Sequence, residues 1–195
     1  MSLDERLLVA ARTCGHTPAR ERVAARFTLL GEHAGVWLAI GAVAQALDHS
    51  RRARWRRATG TVAGVYAVNT AVKLLVRRSR PQLRDLPPLI GTPTTLSFPS
   101  AHASTAFAGA LAYSRAGLPA SPLYALAGAL AYSRLYLGVH YPSDVLAGAL
   151  LGTAVAVVRT RTDRDRADPR TAAPPSDAAQ RNGRAPHAFA APGAA

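Results

Sequence analysis

The sequence predicts an all-α fold: a polytopic membrane helical bundle of about five spans, preceded by one or two N-terminal interfacial helices. Three observations predict it. Apolar residues gather into five blocks between Phe27 and Val158, while charges crowd the N-terminus, the gaps and the C-terminal tail. The blocks are rich in Ala and Gly, as in Ala106-Phe107-Ala108-Gly109-Ala110, which suits close helix packing inside a membrane. At 49% hydrophobic and 18% charged, the 195 residues exclude disorder throughout but would fit an ordinary soluble chain, so the distribution decides. A soluble helical bundle made of the same blocks is the competing reading.

Residues 2 to 13 open with Ser2 and Glu5 in capping-box spacing and place Leu3, Leu7, Leu8 and Ala11 on one helical face. The segment is too short and too charged to span a bilayer, and it lacks the basic start and apolar core of a secretion signal. An interfacial helix is expected. Thr17-Pro18 restarts a helix that runs through Arg20, Arg22 and Arg26 into the first apolar block. The blocks read as Phe27 to Leu47, Ala58 to Val76, Pro99 to Ser114, Pro119 to Leu137 and Tyr141 to Val158, each near the lower limit of the ~20 residues that cross a hydrocarbon core. Residues 159 to 195 alternate Arg and Asp and then become rich in Ala and Pro, the pattern of a disordered tail. The organisation expected is thus 1–26 interfacial, 27–158 membrane domain and 159–195 tail.

A net charge of +13 first suggests nucleic acid. The arginines instead sit in short runs beside apolar blocks, as where a polybasic edge meets anionic headgroups, so a membrane partner and no nucleic-acid partner is expected. The single cysteine, Cys14, excludes an intramolecular disulfide and a cysteine zinc site. Among 24 basic residues Lys73 is the only lysine, in a composition that points to a GC-rich genome.

Ionisable groups next to or within spans are costly and are default candidates for function. Here they are Lys73, Arg80, His102, Arg134, His140 and Asp144. Lys73 ends the second block, His102 begins the third, Arg134 ends the fourth and His140 begins the fifth. Spans of alternating direction put all four on one side of the membrane. Pro81 disfavours helix at Arg80, which leaves that guanidinium on a loop. Pro99 suits the first turn of a helix, where free N–H groups favour an anion, and small residues at Ser100 and Ala101 would let a phosphate approach. Pro142 opens the last block, and the i, i+4 spacing lets the Asp144 carboxylate reach the His140 ring. A carboxylate there fixes the tautomer and leaves the other nitrogen as an attacking lone pair. Three cations, two histidines, one carboxylate and a helix N-terminus match what phosphoryl transfer without a metal requires. Metal hydrolysis fits less well, because the three cations would oppose the ion.

Lys73, six residues, Arg80-Pro81; Pro99-Ser100-Ala101-His102; and Ser133-Arg134, five residues, His140, three residues, Asp144 together resemble the three-part signature of the type 2 phosphatidic acid phosphatase superfamily. Ala101 stands where the commonest pattern has glycine; alanine keeps the backbone N–H and adds one methyl. The resemblance implies that His140 is the nucleophile forming a phosphohistidine, that Asp144 orients it, and that His102 is the acid and then the base. It implies that Lys73, Arg80, Ser100, Ala101 and Arg134 cradle the phosphate, with no metal and no cofactor.

A site at the membrane face favours a lipid phosphate whose tail stays in the bilayer. The small body resembles the bacterial polyprenyl-phosphate branch, and the Glu32-His33 region, Gly91-Thr92-Pro93 and Ser97 to His102 are similar to decaprenylphosphoryl-5-phosphoribose phosphatases. Undecaprenyl diphosphate and phosphatidate-type lipids are alternative substrates, and a non-catalytic membrane scaffold is the alternative of another class. Glu32 and His33, outside the signature, read as interfacial, and Arg77 and Arg78 as headgroup or rim contacts. Arg51, Arg52, Arg54, Arg56 and Arg57 lie on the side opposite the site, which predicts a multi-pass cell-membrane protein with a cytoplasmic tail and a site facing outward. The sequence leaves the oligomeric state open.

Overall fold

The computed structural model describes residues 1–167, with side chains through residue 162. Chain contacts separate a unit Met1–Thr160 from a second, Arg161–Ala195. Most of the expected tail lies outside the described residues. The helices are α1 (Leu3–Thr13), α2 (Pro18–Thr28), a 3-10 stretch (Leu29–Ala34), α3 (Gly35–Leu47), α4 (Arg52–Val76), α5 (Ala101–Ala116), α6 (Ala120–Tyr136) and α7 (Pro142–Ala167). The last runs past Val158, where the sequence reading placed the start of the tail.

The N-terminal signals act as read. Ser2 and Glu5 form a reciprocal capping box at α1, and the Thr17 side chain caps α2 with Pro18 in its first turn. The face of α1 that docks differs from expectation. Asp4, Leu8 and Arg12, spaced i, i+4, i+8, turn toward the protein, with Leu8 and Arg12 buried, whereas Leu3 and Leu7 are exposed. The Arg12 guanidinium donates to the Tyr136 and Pro87 carbonyls (3.3 and 2.8 Å) and so pins α1 to the rest of the protein.

Among the described residues, three segments are long and apolar enough to cross a membrane: Pro18–Leu47, Arg52–Val76 and Pro142–Thr162. Only 28%, 28% and 22% of their most apolar windows are buried within the protein, so their apolar side chains, Leu47, Leu75 and Leu150 among them, face outward. Such a surface suits lipid. Helices α5 and α6, at 16 and 17 residues, are shorter than the ~20 that span a hydrocarbon core, and α3, at 13, reaches that length only together with the segment before it.

Helix α5 is the centre of the bundle, packed chiefly on α4 and α6. Its face is lined with Ala and Gly, and Trp37 of α3 lies against Gly109 with its ring stacked on Tyr113, centroids 6.4 Å apart. The Tyr113 hydroxyl donates to the Trp37 carbonyl at 2.7 Å, which satisfies the one polar atom of that buried ring.

The first apolar block does not form one unbroken helix. Glu32 is extended (φ −65°, ψ 133°), and His33 and Ala34 lie in the left-handed region at φ 49° and 62°. Non-glycine residues are held there only by surrounding contacts. The break brings the backbone of Thr28 and Gly31 against α5, where a methyl on Gly31 would stand 2.6 Å from His102 Cδ2.

Candidate active site

Helix α4 ends where Arg77 turns left-handed (φ 53°), its N–H bonded to the Lys73 carbonyl. The chain then runs extended, and an antiparallel bridge between Ser79 and Leu96 ties it to the segment before α5. Ser97 N–H donates to the Arg78 carbonyl (2.7 Å) and Arg80 N–H to the Thr95 carbonyl (3.1 Å). Arg80 is on a loop, as Pro81 requires, and this clasp sets it beside the start of α5. Pro99 lies one step outside the position expected of it: Ser100 is the N-cap and α5 begins at Ala101. Ser100 N–H is taken by the Asp144 carbonyl at 3.0 Å, so the first turns of α5 and α7 are joined through their backbones.

One cavity of about 240 Å³ gathers most of the predicted residues. Lys73 from α4, Arg80 from the loop, Ala101 and His102 from α5, Arg134 from α6 and His140 from the turn before α7 all line it. Asp144 lies fully buried behind His140, and Ser100 is fully buried with its hydroxyl unpartnered. The positions that counting of spans placed on one membrane side therefore share one hollow.

Arg80 spans the site. Its Nε donates to the Thr94 carbonyl (2.8 Å), and its Nη1 donates to the Val139 carbonyl (2.7 Å) and to His140 Nε2 (3.1 Å). Guanidinium nitrogens only donate, so His140 Nε2 accepts there and the neutral ring carries its proton on Nδ1. That Nδ1 lies 3.6 Å from Asp144 Oδ2, close enough for electrostatic orientation and longer than a hydrogen bond. Burial pushes the His140 imidazole down to about 3, and the Arg80 and Arg134 cations add to that while Asp144 opposes it. The ring is therefore neutral at physiological pH.

Asp144 is held on both oxygens. Oδ2 accepts the Tyr141 N–H at 2.9 Å, the acidic half of a capping box on α7, and Oδ1 accepts from Arg78 Nη1 at 2.8 Å. Arg78 was read as a rim residue; it is an ion-pair partner of the carboxylate beside the nucleophile candidate, and its guanidinium also covers the Tyr141 ring at 4.1 Å.

Thr28 holds two more members. Its carbonyl is 3.0 Å from His102 Nε2, which must donate to it, leaving His102 Nδ1 as the lone-pair nitrogen. Its hydroxyl accepts from Arg134 Nη1 (2.7 Å) and from Ser133 Oγ (3.1 Å). Arg134 is 4% exposed, and its Nε has no partner. Lys73 Nζ donates to the Leu96 carbonyl at 3.2 Å.

Sequence reasoning missed Thr28, Asp4 and Asn69. Asn69 is fully buried one turn before Lys73, lines the cavity and donates through Nδ2 to the Pro99 carbonyl (3.3 Å). A lone amide in an apolar block was a readable signal; Thr28 and Asp4 carried none. Glu32 and His33, read as interfacial, also line the cavity.

A family model described as the PAP2 superfamily matches residues 55–168. The sequence is 40% identical over 119 residues to decaprenylphosphoryl-5-phosphoribose phosphatase of Mycolicibacterium smegmatis, covering 60% of this chain and 65% of that protein. It is 38% identical over 129 residues to the protein of the same name from Mycobacterium tuberculosis, covering 66% of this chain and 72% of that one. Aquifex aeolicus LpxE has a similar structure (TM-score 0.70, 24% identity, 83% of this chain and 96% of that chain). So does the transmembrane PAP2-type phosphatidylglycerolphosphate phosphatase of Bacillus subtilis (TM-score 0.69, 24% identity, 83% and 85%).

Proposed function

The chain belongs to the PAP2 superfamily, and from that premise we propose that it is a metal-independent membrane phosphatase acting on a lipid-linked phosphate through a phosphohistidine. The observation that carries this reading is the shared cavity: three cations and two histidines, drawn from three helices and two connecting segments, surround a space of about 240 Å³. Cations gathered round one hollow repel one another, and Arg134 is almost fully buried; an anion with several oxygens is the ligand that compensates them.

The steps follow from the atoms. A phosphate monoester enters among Lys73, Arg80 and Arg134, with the first N–H groups of α5 at Ala101 and the Ser100 hydroxyl as further donors. His140 Nε2, relieved of its contact with Arg80 by the incoming oxygens, gives its lone pair to phosphorus. The bond from phosphorus to the leaving oxygen breaks, and that oxygen takes the Nδ1 proton of a His102 imidazolium, whose Nε2–H stays on the Thr28 carbonyl and whose ring is left neutral. Asp144 stabilises the charge that appears on the His140 ring. His102 then takes a proton from water, the hydroxide attacks phosphorus, the P–N bond breaks, and inorganic phosphate leaves with His140 neutral again.

The outward apolar faces of the long helices favour a substrate whose tail lies in the bilayer. Two relatives at 40% and 38% identity bear the name decaprenylphosphoryl-5-phosphoribose phosphatase, which supports a polyprenyl-linked phosphosugar as the substrate class. The arginines Arg51, Arg52, Arg54, Arg56 and Arg57, at the end of the α3–α4 connection and in the first turns of α4, support a site on the outer face of the cell membrane.

The test is phosphate release by the purified full chain from a polyprenyl-linked phosphosugar, undecaprenyl diphosphate and phosphatidate, with a chelator present. Wild type should release phosphate, fastest from the first, and His140→Ala should release none. Base-quenched protein should retain label from a radioactive phosphate ester, and more of it in His102→Ala. Silence of the wild type on every lipid would favour a non-catalytic membrane scaffold.

A further inference from the structure

The dyad of His140 and Asp144 is reached from an unexpected direction. Helix α1 lies outside residues 55–168, the part matched by the family, yet its Asp4 sits within the hydrogen-bond network of the site. Asp4 Oδ1 accepts the Ser143 N–H at 2.9 Å, and Oδ2 accepts from Arg78 Nη2 at 2.8 Å and from the Ser143 hydroxyl. The other arm of the same guanidinium, Nη1, donates to Ser143 Oγ (2.7 Å) and to Asp144 Oδ1 (2.8 Å). One arginine is thus shared between a carboxylate on α1 and the carboxylate that faces the nucleophile candidate.

We propose that Asp4 and Arg78 are positioning residues for the phosphatase reaction, and that the docking of α1 sets the orientation of Asp144 toward His140. The inference rests on the lipid-phosphatase reading of the site. Its logic is geometric. The two oxygens of Asp144 have different duties: Oδ2 caps α7 and faces His140 Nδ1, while Oδ1 is fixed by Arg78. Arg78 comes from an extended segment and is a third exposed, so its long side chain needs a second anchor to stay in one rotamer. Asp4 is that anchor. With it, both ends of the fork are held, and the Asp144 carboxylate cannot turn away from the ring. Leu8 and Arg12, at the next two turns of the same face, are buried and keep Asp4 in place. Asp4 itself stays ionised: burial alone would raise its pKa, but the Ser143 and Arg78 hydrogen bonds hold it below the usual carboxylate range.

An alternative duty for Asp4 is purely structural, since its oxygen also caps the start of α7 through Ser143 N–H. Asp4→Asn separates the two: the amide oxygen still serves as a cap, but the charge that fixes Arg78 is gone. In the full chain in detergent, Asp4→Asn and Arg78→Gln should each lower kcat about tenfold or more with KM little changed, because a ~1 Å misplacement of a catalytic group can cost ~100-fold. The double variant should be no slower than Arg78→Gln alone, since Asp4 acts only through that residue. The same cycle read by orthovanadate binding in a calorimeter gives a second measure that needs no turnover, and each variant should bind this transition-state mimic several-fold more weakly. Additive losses, or an Asp4→Asn protein with wild-type kcat and vanadate affinity, would overturn the proposal. A wild type that binds vanadate but hydrolyses no lipid would overturn the lipid-phosphatase reading and leave the cycle to be judged on vanadate. A wild type that does neither would overturn both.

Discussion

Arg80 donates its Nη1 hydrogen to the Nε2 of His140 across 3.1 Å. A cation that points at a nucleophile would ordinarily blunt it. Here the contact fixes where the lone pair points: into the cavity, toward the cations, with the ring proton on the side of Asp144. In the proposed reaction an arriving phosphate exchanges places with the nitrogen as the acceptor of that guanidinium. Arg80 thus holds, in that proposed reaction, a donor for the transition state on the atom that attacks.

Removing that donor should be felt in turnover. Arg80→Ala is expected to lower kcat/KM by about 100- to 1,000-fold, the usual loss when one donor to a developing oxyanion is deleted. Arg80→Lys should recover little of it, since an ammonium cannot contact Thr94, Val139 and phosphate oxygens together as the fork does. Steady-state phosphate release at saturating and limiting lipid measures both.

The buried His140 also imposes a sign on the pH dependence of stability. Burial, aided by Arg80 and Arg134, lowers its pKa from 6.5 to about 3. Between those values the unfolded chain binds a proton at this position and the folded chain does not. Stability from this residue is complete above about pH 6.5 and is lost as pH falls toward 3, by about 1.4 kcal/mol per pH unit while one proton separates the two states. The unfolding midpoint in detergent should fall from pH 6.5 to 4, and His140→Gln should flatten that slope by one proton. The activity profile should show no titration of His140 between pH 5 and 8.

Thr28 couples two helices to the end of α2, and its two polar atoms can be separated by mutation. Thr28→Val keeps the shape and the carbonyl that holds His102, but deletes the hydroxyl that Arg134 and Ser133 contact. The buried Arg134, whose Nε already lacks a partner, then loses another. A loss of about 1–3 kcal/mol in stability is expected, with a rise in KM larger than the fall in kcat, because in the proposed reaction the guanidinium binds phosphate while His102 moves protons. Unfolding and kinetics on the same preparation test the split.

What the sequence disclosed and what it concealed have a common physical basis. Lys73, Arg80, His102, Arg134 and His140 were legible because a charge beside an apolar block demands a reason, and the alternation of spans brings their ends together. Asn69 obeyed the same logic, as a fully buried amide four residues from Lys73. Asp4 and Thr28 did not, for their partners lie 139 and 106 positions away and their surroundings resemble any amphipathic helix. The break in the first apolar block was equally hidden: Ala34 adopts φ 62° with no glycine at its position to announce it. Gly31, just before that turn, packs against His102 and Leu130, both remote in the chain. The cap at Ser100, one residue later than Pro99 suggested, follows from the bond between Ser100 N–H and the Asp144 carbonyl, a partner remote in the chain.

The glycines of α7 make the last prediction, because they set the distance between the two helices that carry His102 and Asp144. A methyl added to Gly152 would lie 2.0 Å from the Ser104 carbonyl oxygen, and one added to Gly148 would lie 2.5 Å from that of Ser100. These are backbone atoms and cannot swing aside. Gly152→Ala must push α7 off α5, which strains the bond from Ser100 N–H to the Asp144 carbonyl and draws Asp144 and His140 away from His102. Gly128 of α6 is the control, for a methyl there meets nothing within 4 Å and alanine is favoured over glycine in a helix by about 1 kcal/mol. Gly128→Ala should therefore raise the unfolding midpoint in detergent slightly and keep full activity. Gly152→Ala should lower it sharply and reduce kcat in the protein that remains folded. Equal midpoints for the two variants would mean that α5 and α7 are not held this close.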